Sequence, residues 1–343
     1  MRRRDFLALT AMPLWEATNV RLGVDLFSLR SQGWNAFQSL DYCAKLGVQV
    51  VHFSEPRFLG PLDDEDHLRR VADHARRLGI QLEVGMRSIC PSSKMFDASQ
   101  GSAEQQLERL IRAARLLGSP IARAVLGSMA DRAVPPGIEA HIENTVRVLR
   151  AVRSRALDAG IKIAIENHAG DMQARELKTL VEEAGPDWVG VCLDSGNPLW
   201  TIEDPHLTLE VLAPYVLTSH LRDSAVWRVA EGAAVAWVRA GEGNVRLEEW
   251  VREFVRRCPG RTLSLEVIVT GPRVFPYLDP KFWEAYRKTP AWEFARFLAL
   301  AERGTPRPAP PSLSKEEAQT REREDLEASL AWTRRVLQSP AAA

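Results

Sequence analysis

The chain has 343 residues, of which 45% are hydrophobic and 26% are charged, a composition that fits one large α/β domain or two smaller ones. The 45 Lys and Arg residues balance the 45 Asp and Glu residues, which argues against a broad nucleic-acid-binding surface, because such a surface needs excess positive charge. The four scattered cysteines include no CxxC pair and predict free structural thiols, and no apolar run approaches the length of a membrane span.

The N-terminus carries two adjacent arginines, Arg3 and Arg4, followed by Asp-Phe-Leu and a short apolar segment that Pro13 interrupts. This arrangement resembles the twin-arginine export motif, although no small-x-small cleavage site follows it. Residues 1–18 are therefore either a twin-arginine signal or a disordered basic terminus of a cytoplasmic protein. We favour export to the periplasm over a cytoplasmic location.

Short apolar runs alternate with helical patterns along most of the chain. Eight runs are typical of strands, at residues 20–29, 48–54, 80–86, 121–127, 162–167, 189–194, 216–221 and 262–269. Several intervening helical patterns end at a glycine, such as Gly118 and Gly160. Eight strands that alternate with helices predict a parallel (β/α)8 TIM barrel over residues 19–303. The alternative is an open doubly wound sheet, but the Gly-rich phosphate loop that often accompanies it is absent.

The C-terminal part adds three features to this pattern. Residues 271–303 are predicted to contain a lead-in and the helix that follows the eighth strand. Residues 304–343 form an extension in which a proline-rich linker, "TPRPAPPS", precedes a capping box made by Ser314 and Glu317. The capping box opens a charged helix with Leu326, Leu330 and Leu337 on one face. We expect this helix to pack on the barrel or on a second subunit of a homo-oligomer, or to remain solvated.

Four successive late strands end in a polar side chain after an apolar run. These side chains are Glu166, Asp194, His220 and Glu266. Each alone has a structural explanation, such as a carboxylate paired with an arginine. The carboxyl ends of the strands form the active face of a barrel, so the four should meet there. Three carboxylates in one mouth must protonate or share a cation. Oxygen ligands with one imidazole predict one divalent metal and suit Mn²⁺, Mg²⁺ or Co²⁺, with Zn²⁺ less favoured; of these we expect Mn²⁺.

The strand ends also carry motifs that resemble a known family. The segments "IENHAG" (165–170), "VCLDSGNP" (191–198), "SHLRD" (219–223) and "RAGEGNVRLEEW" (239–250) are similar, in order and spacing, to motifs of the xylose-isomerase-like TIM barrels of the sugar isomerase and epimerase group. The resemblance covers roughly residues 20–270.

The resemblance implies a set of ligands and a mechanism. The metal ligands would be Glu166, Asp194, His220 and Glu266. The metal would hold two adjacent sugar oxygens and acidify the C–H bond beside a carbonyl, giving an enediolate. Glu166 and Glu266 would lie on opposite sides of the metal, where one removes the proton and the other can return it. The implied function is a metal-dependent sugar isomerase or epimerase with a small sugar or keto-sugar as substrate.

Other polar and aromatic residues are candidates for substrate contacts. The candidate substrate-binding residues are His168, Asn197, Arg222, His52 and Arg87, and Glu83 lies near the same strand ends. His168 and Arg222 share the side of their strand ends with two predicted ligands, although support of those ligands or a salt bridge would explain them equally well. Asn197 stands where relatives often have a second histidine, which favours a substrate hydrogen bond over a second metal. Four tryptophans in or near loops could stack on a sugar or simply pack: Trp34, Trp200, Trp227 and Trp237.

Rival functions share parts of this pattern. A lyase, dehydratase or deglycosidase would begin with the same proton abstraction and continue by elimination. A non-enzymatic sugar-binding barrel would bind no divalent metal. An abasic-site endonuclease of the same superfamily would need three metals and a histidine-rich mouth, whereas three of the seven histidines here fall on helical stretches. Residues 223–243, after the seventh strand, form an unusual loop, so the shape of the substrate cannot be inherited from the resemblance.

Overall fold

The computed structural model describes residues 19–339 of the chain. The twin-arginine-like sequence lies outside the described residues, and export stays a prediction. Within residues 19–339, no helix combines the length and the apolarity needed to cross a membrane.

Eight parallel strands close into a barrel, as the sequence predicts. The eleven strands of the structure are β1 Arg21–Asp25, β2 Val50–Phe53, β3 Gln81–Ser88, β4 Ile121–Val125, β5 Lys162–Glu166, β6 Val189–Asp194, β7 Val216–Leu221, β8 Asp223–Val229, β9 Gly232–Val238, β10 Thr262–Leu265 and β11 Arg273–Phe275. Strands β1 to β7 follow one another around the barrel, and β10 closes it between β7 and β1. Most barrel strands are mainly apolar because both of their faces are buried, as in β2 and β6, whereas in β10 a threonine and a serine alternate with two leucines.

Helices surround the barrel on its outer side. They are α1 Ala36–Lys45, α2 Pro56–Leu59, α3 Glu65–Arg77, α4 Ala103–Leu117, α5 Met129–Arg132, α6 Ile138–Ala159, α7 Ala174–Ala184, α8 Pro205–Leu212, α9 Leu247–Arg257, α10 Ala291–Glu302 and α11 Lys315–Gln338. Short 3-10 helices occur at Leu26–Leu29, Ala98–Gln100, Pro198–Thr201, Ala213–Tyr215 and Pro280–Ala285. Gly118 and Gly160 end α4 and α6 with φ angles of 69° and 70°, the left-handed conformation that glycine adopts without steric cost.

The segment predicted as a loop after the seventh strand folds instead into part of a second sheet. β8 and β9 form an antiparallel hairpin, and β11 pairs with the other edge of β9. Alternate side chains of the two strands form an apolar cluster that stabilises the hairpin. Ala225 and Trp227 lie on one face of β8 and pack against Ala234 and Ala236 of β9. This three-stranded sheet follows directly from β7 and brings Trp237 to the mouth of the barrel.

The C-terminal helix α11 packs on the barrel, one of the arrangements that the sequence left open. Its predicted apolar face is buried, with Leu326, Leu330 and Leu337 no more than 4% exposed, and the predicted capping box is present. The Tyr42 hydroxyl of α1 donates a hydrogen bond to Glu327 at 2.6 Å, and α11 also contacts α9 and β10. The helix after β11, α10, packs against β8 instead. The helix that packs outside β10 is therefore α11, which belongs to the segment predicted as a C-terminal extension.

We expect the packing of α11 to contribute measurably to stability. Leu330→Ala should lower the free energy of unfolding by about 2–5 kcal/mol, because it leaves a cavity in a buried contact. Leu313→Ala, which truncates the same side chain in the linker where it is 39% exposed, should cost less than about 0.5 kcal/mol. Urea denaturation of both variants measures the difference. Equal small effects would show that α11 is not docked as described.

Candidate metal centre

The four predicted ligands converge at the carboxyl ends of β5, β6, β7 and β10. Glu166, Asp194 and His220 are the penultimate or last residues of their strands, and Glu266 directly follows β10. In the parallel register Asp194 pairs with His220, while Glu166 pairs with Cys192 and His220 with Ser264, so the other two ligands lie within two residues of this level. One donor atom from each residue lies within 4.8 Å of the donor atoms of the other three, and all four side chains are buried.

His220 Nδ1 lies at the centre of this cluster. It is 2.8 Å from Glu266 Oε2 and 3.1 Å from Glu166 Oε2. Asp194 uses Oδ1 to accept hydrogen bonds from the backbone N–H groups of Gly196 and Asn197, at 2.7 and 2.8 Å. Its Oδ2 atom is thereby left for another partner.

Two buried arginines balance part of the negative charge. Arg123 Nε, from β4, donates to Glu166 Oε2 at 2.7 Å. Arg222 forms ion pairs with Asp194 and Glu266. Arg222 Nε lies 2.8 Å from Asp194 Oδ2, but the contact does not have the geometry of a hydrogen bond, so neither atom is satisfied by it. The salt bridge that the sequence suggested for Arg222 is therefore present. The salt bridge of Arg123 with Glu166 was not predicted.

The carboxyl groups respond differently to this environment. Burial would raise the pKa of Glu166, but Arg123 and His220 lower that pKa well below its ordinary value. Burial likewise opposes ionisation of Glu266, yet Arg222 and His220 bring its pKa down to about 2. For Asp194 burial prevails and raises the pKa to about 7, although Arg222 acts in the opposite direction. Without a cation, the arginines and His220 therefore keep Glu166 and Glu266 ionised, whereas the negative charge of Asp194 is only partly compensated.

The unsatisfied atoms indicate that a metal ion fits this cluster. Among residues 19–339, the buried atoms without a hydrogen-bond partner include Asp194 Oδ2, His220 Nδ1 and Glu266 Oε2. Buried polar atoms normally have a partner. Three carboxylates and one imidazole are suitable ligands for Mn²⁺, Mg²⁺, Co²⁺ or Zn²⁺, and mutual distances below 4.8 Å are compatible with metal–ligand bonds of about 2.0–2.6 Å.

The far side of the His220 ring is held by residues beneath the cluster. His220 Nε2 lies 3.0 Å from His52 Nδ1 and 3.4 Å from Asp25 Oδ2. If Nδ1 turns its lone pair toward a metal, the ring proton is on Nε2 and is donated to one of these groups. His52 and Asp25 would thus orient the ligand ring. His52 does not line the cavity described below, so the structure places it behind a ligand and not in direct contact with a substrate.

A cavity of about 190 Å³ opens above the cluster, which is small compared with sites for drug-sized ligands. Its polar lining consists of Ser54, Glu55, Arg87, Arg123, His168, Arg222 and Glu266, with Phe27 and Trp237 among the apolar lining residues. Three of the predicted substrate-binding residues, Arg87, His168 and Arg222, therefore face one space. Glu266 lies in both the cluster and the cavity wall, so the cavity is continuous with the candidate metal centre.

The hydrogen bonds of His168 and Asn197 define what each can offer. His168 Nδ1 lies 2.6 Å from the carbonyl oxygen of Gly127. Since a carbonyl only accepts, Nδ1 carries the proton and Nε2 is left as an acceptor for a hydroxyl group. Asn197 is not among the lining residues, and its Nδ2 donates to Glu166 Oε1 at 3.2 Å. Asn197 therefore supports a predicted ligand.

The remaining candidates occupy different surroundings. Glu83 accepts hydrogen bonds from Thr218 and Thr262 inside the barrel, at 2.6 and 3.0 Å, and does not line the cavity. Of the four tryptophans, Trp237 lines it, with the Arg222 guanidinium 4.5 Å from its ring centre. Trp200 packs on Trp237, Trp34 packs on Tyr42, and Trp227 is buried in the small sheet.

Three residues of the site were not predicted from the sequence: Asp25, Arg123 and Asn167. Asp25 and Arg123 carry the same signal that identified Glu166, a charged side chain within an apolar strand segment. Asn167 carried no such signal. Its amide donates to the Asp194 carbonyl at 2.9 Å and accepts from the Asp194 N–H at 2.8 Å, so it fixes the backbone of a predicted ligand.

We expect Asp194→Ala to abolish tight metal binding, because Asp194 Oδ2 is one of the unsatisfied atoms of the cluster. Elemental analysis after dialysis against Mn²⁺ should find about one ion per chain in the wild type and none in the variant. Glu203→Gln is the matched control. Glu203 is also a buried carboxyl group, but it lies outside the cluster and accepts hydrogen bonds from the Ala174 N–H and the Thr208 hydroxyl. Full metal content in Asp194→Ala would contradict the assignment.

Metal loading should also raise thermal stability. A ligand that binds only the folded state stabilises it by mass action, by about 2.7 kcal/mol at one hundred times the dissociation constant. The protein with excess Mn²⁺ should therefore melt at a higher temperature than the protein with chelator at neutral pH. The difference should disappear in Asp194→Ala. Equal melting temperatures for wild type under both conditions would count against the site.

Comparisons with known proteins agree with the fold and bear on the site. The chain is 26% identical over 180 residues to a 3-oxo-isoapionate decarboxylase of Pectobacterium atrosepticum, an alignment that covers 52% of this chain and 56% of the relative. The chain thus spans about half the length of the curated relatives it matches.

Solved structures share the barrel at low sequence identity. A D-psicose 3-epimerase of Clostridium cellulolyticum H10, solved with D-tagatose, matches with a TM-score of 0.63 and 14% identity, over 93% of this chain and all of that chain. The IolI protein, solved with a bound zinc atom, matches with a TM-score of 0.57 and 14% identity, over 92% and 99% of the two chains. At these identities the structural matches show the fold alone.

The family model described as xylose isomerase-like TIM barrel matches residues 40–285. This range includes β2 to β11 and all four candidate metal ligands. The chain therefore belongs to the xylose isomerase-like TIM barrel family.

Proposed function

We propose that the protein is a divalent-metal-dependent sugar isomerase or epimerase that transfers a proton at a carbon beside a carbonyl. The observation that carries the proposal is the pair Glu166 and Glu266, whose carboxylates approach the same atom, His220 Nδ1, from β5 and from the end of β10. Two carboxylates that flank one point can exchange a proton with a substrate from two sides.

Glu166, Asp194, His220 and Glu266 would hold the metal, which we expect to be Mn²⁺. A bound divalent ion supplies electrophilic stabilisation for the negative charge that develops on the substrate oxygens. One protein of similar fold is a sugar epimerase and another holds a zinc atom, and both agree with a divalent ion at this site.

Residues of the chain would transfer the proton, bind the substrate and exclude water. Glu266 lines the cavity and is the group best placed to take a proton from a bound substrate. Glu166 is held by Arg123 and Asn197 and does not line the cavity, so it would return a proton from the side of the metal centre. His168 Nε2 would accept a hydrogen bond from a substrate hydroxyl. The small cavity would limit the access of water to the carbanion-like intermediate.

A second candidate is a decarboxylase within the lyase alternative. The curated relative with the name 3-oxo-isoapionate decarboxylase and the position of Arg87 in the cavity wall favour it. In a 3-oxo acid, the bond between the carboxylate carbon and its neighbour breaks, CO₂ leaves, and the electron pair forms an enolate that takes a proton at carbon. The same residues that stabilise an enolate after proton removal would stabilise it after loss of CO₂.

Proton transfer to and from carbon is the step that tests both candidates. The Mn²⁺-loaded protein is incubated in D₂O with ketoses and 3-oxo sugar acids, and deuterium at carbon is followed by NMR and mass spectrometry. We expect solvent deuterium in the substrate or product. Release of CO₂ identifies the decarboxylase, and isomerised or epimerised sugar identifies the first candidate.

Glu166→Gln and Glu266→Gln should each reduce this exchange by a factor on the order of 10² or more, because the amide keeps the size of the side chain and removes the base. Glu203→Gln is the control for loss of a buried carboxylate elsewhere, and metal content is measured in every variant. Hydrolysis without exchange at carbon, together with retained activity in both Gln variants, would contradict the proton-transfer mechanism.

A further inference from the structure

We propose that the substrate of this site carries a carboxylate group and that Arg87 binds it. The inference rests on the proposed function. It adds the chemical class of the substrate and the residue that recognises its carboxylate. It follows from how the charged groups of the cavity wall are paired.

Two of the three arginines in the wall are already engaged. Arg123 is buried and bound to Glu166, and Arg222 is buried and bound to Asp194 and Glu266. Their charges are therefore largely committed to the ligand cluster, whose geometry they help to hold. Neither can turn fully to a substrate without leaving a buried carboxylate unpaired, which is costly.

The two acidic groups of the wall are also engaged, each with an arginine other than Arg87. Glu266 is bound to Arg222. Glu55 accepts a hydrogen bond from Arg57 Nε at 2.6 Å, and Arg57 is not a lining residue. The acidic side chains that share the cavity with Arg87 therefore do not neutralise it.

Arg87 is the remaining cation. Its side chain is exposed near the end of β3, and within residues 19–339 it forms neither a hydrogen bond nor an ion pair. The exposed Asp97 lies within electrostatic range, but the pKa of that carboxyl group is lowered mainly by hydrogen bonds from Ser99 and to a smaller extent by Arg87. The cavity that it lines is about 190 Å³ and reaches Glu266, so a molecule of a few carbon atoms can contact both groups. A planar guanidinium with several N–H donors matches the two oxygens of a carboxylate.

A carboxylate fits this arrangement better than a phosphate. Phosphate groups in proteins are usually held by several donors, such as helix N-termini or clusters of cations. Here one guanidinium without a hydrogen bond or an ion pair among residues 19–339 faces a small cavity whose lining includes no lysine. The site therefore matches a sugar acid, with the keto group toward the metal ligands and the carboxylate toward Arg87.

The test compares molecules that differ at one carbon. D-fructuronate is D-fructose with the C6 alcohol oxidised to a carboxylate, and D-tagaturonate has the same relation to D-tagatose. Calorimetric titration of the Mn²⁺-loaded protein should show that at least one acid binds about 10-fold or more tightly than its neutral partner. Arg87→Gln should remove this preference without weakening the neutral ketose, and Arg87→Lys should retain part of it.

Arg69→Gln serves as the matched control, because Arg69 is exposed on α3 and paired with Glu65; it should leave the preference unchanged. Fructose 6-phosphate is the third probe. The proposal is overturned if the acids bind no better than the ketoses, if the preference survives in Arg87→Gln, or if the phosphate ester binds more tightly than both acids. If the protein binds the metal, and binds the neutral ketoses as tightly as the acids, only this inference is refuted. If the protein does not bind the metal, the proposed function is refuted.

Discussion

The crowding of three buried carboxylates around His220 Nδ1 is the constraint on which the rest of the site depends. The atoms that face this nitrogen come from β5, β6 and the end of β10, and burial makes their charges costly unless they are compensated. Arg123 and Arg222 compensate part of the charge. Asp194 Oδ2, His220 Nδ1 and Glu266 Oε2 nevertheless remain without hydrogen-bond partners among the described residues, and a divalent ion would satisfy all three.

The barrel supports this arrangement through contacts that do not reach the substrate cavity. Asn167 holds both backbone groups of Asp194, and Asn197 holds the second oxygen of Glu166. His52 and Asp25 contact the far nitrogen of His220. Such contacts restrict the orientation of ligands and are needed for a site whose donor atoms must stay within a few tenths of an ångström of their places.

Much of the fold and of the cluster could be predicted from the sequence, because both leave local patterns. Buried parallel strands are short apolar runs, and a ligand at a strand end is a polar residue after such a run. The same pattern occurs at Asp25 and Arg123. The hairpin of β8 and β9 does not show the apolar–polar alternation typical of a strand, because apolar residues lie on both of its faces. The position of α11 next to β10 depends on distant contacts with α1 and α9, and Asn167 acts through backbone geometry; neither leaves a local pattern.

The interpretation of the site requires one divalent ion to bind among Glu166, Asp194, His220 and Glu266. Anomalous X-ray diffraction from crystals grown with Mn²⁺ is a decisive test, because the signal locates the metal independently of any activity. We expect one strong peak per chain, about 2.0–2.6 Å from Asp194 Oδ2, His220 Nδ1 and an oxygen of each glutamate. No peak at this point, or a peak bound to other side chains while the arginine pairs stay in place, would contradict it.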